Sequence, residues 1–107
     1  MTIWYIRVAV RGGETSKEEI LDFFPLHDHP GRVMPPWDFV MKQAVQNPTV
    51  ADWLMRAEPG EHIQIRRQYR SSRAKRRDTQ PRSAWGCEYL IREDRDLERV
   101  SIHDRWW

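Results

Sequence analysis

The chain is poor in the features by which a sequence usually declares its chemistry. It holds one cysteine, Cys87, in 107 residues, so no internal disulfide can form and a reducing, cytoplasmic setting is expected. No basic stretch precedes an apolar leader and no run of about 18 apolar residues occurs, so neither export nor a membrane partner is expected. No motif of known chemistry stands out, and no cofactor is implied. Apolar residues make up only 39%, against roughly 45–50% in ordinary globular proteins. Six Trp, three Tyr and three Phe offset that shortage, because each ring buries a large area, and an aromatic core is expected. The length fits a single domain over 1–107, able to bury somewhat over ~60% of its unfolded surface without a metal or disulfide staple.

What the chain has in excess is positive charge in one place. Arg66 to Arg82 holds eight of the eighteen basic residues, opposed by Asp78 alone. That segment carries +7 in a protein of net charge +2, so the remainder carries −5. Such concentration points to a polyanionic partner.

The apolar pattern outlines the elements. Ile3 to Val10 is almost continuously apolar apart from Arg7, which suits a central strand buried on both faces. Thr15 and Ser16 offer capping oxygens ahead of Glu18 and Glu19, and Ile20, Phe23 and Phe24 fit one face of a short helix stopped by Pro25. Leu26 to Pro36 has no period and reads as a loop. Trp37, Val40, Met41, Ala44 and Val45 mark one helix, and Val50, Trp53, Leu54 and Ala57 mark another beyond Asn47-Pro48. From Glu61 the period becomes two. Ile63, Ile65 and Tyr69 alternate with His62, Gln64, Arg66, Gln68 and Arg70, with Arg67 interrupting the apolar side. Two further strands, through Trp85, Cys87, Tyr89 and Ile91 and through Val100 and Ile102, suggest a hairpin. The expected fold is α+β: an antiparallel sheet of about four strands, with two to three short helices on one face, in the order β-α-α-(α)-β-β-β. The other face is expected to be partly solvated and basic. A flexible basic loop over about 71–83 would overhang it.

Guanidinium groups match phosphate oxygens, and counterion release favours their docking. Arg66, Arg67, Arg70, Arg73, Lys75, Arg76, Arg77 and Arg82 are therefore the expected contacts to nucleic acid or to an acidic protein surface. Tyr69 is an expected stacking residue for unpaired bases. The leading reading is a small non-enzymatic protein that binds nucleic acid or a nucleoprotein, with little sequence readout. The alternative is an inhibitor or adaptor of phage or mobile-element type acting on a host protein. Adjacent Trp106 and Trp107 cannot both turn inward from a strand, so one is expected to serve as a hot spot for a partner or a homodimer.

A third reading is catalytic. His62, Arg66, Tyr69, His103 and Arg105 combine acid–base groups with cations, the equipment for metal-free RNA cleavage. The order of one strand, two helical segments and three strands resembles the RelE/ParE toxin class, which includes ribosome-dependent ribonucleases. His27-Asp28-His29 offers at most two imidazole ligands, and with Cys87 expected in the core no metal site is expected.

Overall fold

The computed structural model describes residues 2–13, 15–27, 29, 33–71 and 82–103. Its elements are β1 (Thr2–Arg11), β2 (Glu19–Pro25), α1 (Trp37–Gln46), α2 (Pro48–Arg56), β3 (His62–Ser71), β4 (Arg82–Ile91) and β5 (Leu97–His103). The strands form one antiparallel sheet in the order β2-β1-β3-β4-β5. The α+β class therefore stands, with five strands in place of about four and two helices among the described residues.

The segment expected as a first helix is β2, and the reason is a bulge. Val8 and Ala9 of β1 face Asp22 and Ile20, so Leu21 is the extra residue. Leu21 and Phe24 both pack against the core, while Ile20 and Phe23, partners of Ala9 and Arg7, lie on the opposite face. Both pairs are three residues apart. A bulged strand thus reproduces the spacing that reads as helical. With β2 inserted after β1, the element order also departs from the one that prompted the comparison with RelE/ParE toxins.

The helices form where their patterns predict. Asn47 separates them: its backbone N–H closes α1 on Gln43 and Ala44, and its side chain caps α2 by accepting from Thr49 and Val50 at 2.9 and 3.1 Å. Pro48 opens α2, where a missing N–H costs nothing. The Asn47 amide also donates to Asp22 of β2 at 2.9 Å, tying the helix junction to the sheet edge.

Ile6, Val8 and Val10 of β1, Ile63 and Ile65 of β3, Val40, Ala44 and Val50 form the buried centre. Each large aliphatic side chain contributes roughly 1.5–3 kcal/mol by leaving water. The expected aromatic core is corrected accordingly: the centre is aliphatic, and Phe24, Trp37, Trp53 and Tyr89 ring it, partly buried. β1 is interior to the sheet, as its composition suggests, yet only its Trp4, Ile6, Val8 and Val10 side packs under helices. No described helix is long and apolar enough to cross a membrane.

Candidate nucleic-acid interface

Alternation along β1 and β3 assigns every second residue to the face away from the helices, and the register assembles these residues into rows. One row runs Phe23, Arg7, Arg66, Gly86, His103 across all five strands. The next runs Ile20, Ala9, Gln64, Glu88, Ser101. Arg11 and His62 begin a third, and Tyr5 pairs with Gln68 on the other side. This face is polar, as expected, but its centre is not solvated. His62, Gln64, Arg66, Gln68 and Glu88 are all buried, Arg66 retaining 6% exposure.

Burial of so many polar groups requires that they satisfy one another. The Gln64 side-chain oxygen accepts from Arg7 at 3.1 Å and from the Arg66 Nε at 2.9 Å. Arg7 also donates to Glu18 at 2.8 Å. The Glu88 carboxylate accepts from Arg11 and contacts His62 Nδ1 at 3.1 Å. Two small residues make room: Ala9 is fully buried, and the Arg66 side chain lies over Gly86, where a Cβ would stand 2.4 Å from Arg66 Cγ.

The expected contact residues divide between the two faces. Arg66 belongs to the polar face, and Arg70 pairs with Ile3 in the ladder. Arg67 and Tyr69 belong to the helix face. Arg67 donates to the Pro35 carbonyl at 2.7 Å and lies 5.1 Å from the Trp85 ring centre, and its burial lowers the guanidinium's pKa. Tyr69 is tilted against Trp4, with ring centres 5.4 Å apart. Beside them Trp37 meets Trp85 edge-on at 4.4 Å and donates to the Tyr89 hydroxyl at 3.0 Å. Burial raises the pKa of that hydroxyl, while the Trp37 hydrogen bond opposes the rise. Arg82 begins β4 opposite Tyr69. Ser71 and Arg82 thus belong to strands rather than to the basic connection. Arg73, Lys75, Arg76, Arg77, Arg105, Trp106 and Trp107 lie outside the described residues.

Of the residues in the catalytic constellation, His62, Arg66 and Tyr69 stand apart from one another. His62 is engaged with Glu88, Arg66 stands two rows away at roughly 13 Å along the strand, and Tyr69 is on the other face. His103 pairs with Gly86, in the Arg66 row. His29 contacts the Val33 carbonyl and lies 5.5 Å from Phe39. No group of three metal-ligating side chains occurs among the described residues.

Sequence reasoning missed Tyr5, Arg7 and Phe23. Tyr5 and Arg7 were hidden in a strand taken as buried on both sides, and Phe23 in a presumed helix. On the polar face the Tyr5 and Phe23 rings stack, with centres 4.9 Å apart and planes within 5°, beside Arg7. The available signal was Arg7 itself, a cation at every-second spacing in an apolar strand. Comparison with protein-family models, curated proteins and solved structures gives no match. The fold and the face together describe an antiparallel α+β protein with one apolar and one polar, cation-bearing sheet surface.

Proposed function

We propose that this is a small non-enzymatic protein that binds nucleic acid or a nucleoprotein, chiefly through phosphate contacts from its basic segment and the adjoining polar sheet face. The observation that carries the reading is the β3–β4 register. Because Tyr69 pairs with Arg82, the strongly basic stretch 72–81 joins two neighbouring strands at one end of the sheet. Arg70 and Arg82 stand at its roots, and Arg7 and Arg66 pair with each other two rows further in, beyond Tyr5 and Gln68. Cations gathered at one end of the sheet suit a phosphate backbone, which offers charge at short, regular intervals.

The test is to replace Arg73, Lys75, Arg76 and Arg77 together by Ala and measure both melting and oligonucleotide retention at low salt. The expected result is a melting temperature close to the parent's and clearly weaker retention. A drop of many degrees would make the segment structural, and a parent protein that retains no nucleic acid would end the reading.

One observation favours a second reading, a protein-binding inhibitor or adaptor. β5 is an edge strand whose Val100 and Ile102 are 43% and 54% exposed. An exposed edge of this kind accepts a partner's strand through backbone hydrogen bonds. Salt-insensitive capture of one defined protein, lost on Ile102→Lys, is its signature.

A further inference from the structure

We infer that Phe23, backed by Tyr5 and flanked by Arg7, is a stacking platform for an unpaired base, so that the nucleic acid this protein takes is single-stranded. The inference rests on the nucleic-acid reading above and names its substrate class. Phe23 is 37% exposed and Ile20 50% exposed, both on the polar face of the edge strand β2. Large apolar groups on an otherwise polar sheet surface mark a contact. The parallel stack on Tyr5 covers one side of the Phe23 ring and fixes its plane, so the ring meets a ligand without first losing rotamer freedom.

Arg7 supplies the second half of the site. It sits directly opposite Phe23 in the register, and Gln64 and Glu18 hold its guanidinium by one N–H each. Its remaining N–H groups have no acceptor among the described residues. A ring beside an oriented guanidinium offers a base one surface and, where a phosphate displaces Glu18 from Arg7, the backbone another, the combination that holds single strands in sequence-tolerant fashion. A duplex cannot use the ring without unstacking a base, at a cost of a few kcal/mol.

The experiment is fluorescence anisotropy at low salt with a labelled twelve-nucleotide oligothymidine, an oligouridine of equal length and a duplex of equal length. Both single strands should bind more tightly than the duplex. Phe23→Leu, which keeps apolar volume and removes the ring, should weaken single-strand binding about 5- to 150-fold and leave duplex binding unchanged, while Phe23→Tyr should restore it. Equal single-strand and duplex affinities, both indifferent to Phe23→Leu, would overturn the platform and leave the nucleic-acid reading standing. Failure to bind any oligonucleotide would overturn both. A Phe23→Leu variant that changes sedimentation and not oligonucleotide affinity would make the patch a contact between copies. If that variant does not fold, ultraviolet cross-linking of oligothymidine to the parent protein decides the matter. Adducts on Phe23 or Tyr5 support the platform, and adducts confined elsewhere overturn it.

Discussion

At the scale of single residues, the polar face is governed by two positions with almost no side chain. Gly86 lets Arg66 lie flat across β4, and Ala9 leaves space beside Gln64. A methyl group at position 86 would stand 2.4 Å from Arg66 Cγ and 2.6 Å from the Ile65 carbonyl oxygen. The arginine can swing aside, but the carbonyl belongs to the β3 backbone and cannot move without disturbing the ladder. Gly86→Ala is therefore expected to cost about 1–3 kcal/mol in urea denaturation, as overpacking does elsewhere. Its size would report how rigidly the two central strands are held. Arg67 makes the complementary point. Sequence groups it with its neighbour Arg66 as a phosphate contact, yet strand alternation sends it to the other face, where Trp85 and the Pro35 carbonyl engage it.

At the scale of elements, the ends of α2 are built differently from one another. Its start is a local arrangement of Asn47 and Pro48, readable in the sequence. Its end is not local. The Arg95 guanidinium, from the turn between β4 and β5, donates to the carbonyls of Leu54, Met55 and Ala57 at 2.8, 3.0 and 2.9 Å. A cation there also complements the helix dipole. Arg95 does this from a left-handed backbone, with φ of 70°, which costs a non-glycine residue of order 1 kcal/mol. Two substitutions separate the opposing terms. Arg95→Ala should lose about 1–3 kcal/mol, because it removes the charged hydrogen bonds and keeps the strain. Arg95→Gly should lose less, because glycine accepts that φ freely. Denaturation midpoints in the order parent, Arg95→Gly, Arg95→Ala would establish this, and a reversed order of the two variants would refute the strain argument.

At the scale of the whole molecule, antiparallel order separates charge. The turns at one end of the sheet bring together Glu18, Glu19, Glu61, Glu93, Asp94, Asp96 and Glu98. The β3–β4 connection leaves from the opposite end with its concentrated positive charge. A protein so polarised should approach a polyanion basic end first, and its association should depend steeply on salt. The logarithm of affinity for a single strand should fall against the logarithm of salt by about 0.7 per phosphate neutralised. Replacing Arg73, Lys75, Arg76 and Arg77 by Ala should reduce that slope by up to about 3. Titration at four salt concentrations checks it, and an unchanged slope would remove those four residues from the interface.

The sequence by itself determined what depends on neighbours along the chain. The two helices, their junction at Asn47-Pro48, the alternation of β3, the β4–β5 hairpin and the concentration of positive charge are all legible there, because caps, periods and net charge are local properties. Only the tertiary structure decided the rest. Whether Ile20 to Phe24 bends as a helix or lies as a bulged strand depends on β1 offering it an edge, since a spacing of three fits either form. Whether Gln64, Arg66 and Glu88 meet water or one another depends on which strands become neighbours. Arg7 and Arg66 are far apart in sequence, and it is the pairing of β1 with β3 that makes them share the Gln64 oxygen. Long-range pairing fixes register, and register decides which polar side chains are close enough to satisfy each other away from solvent.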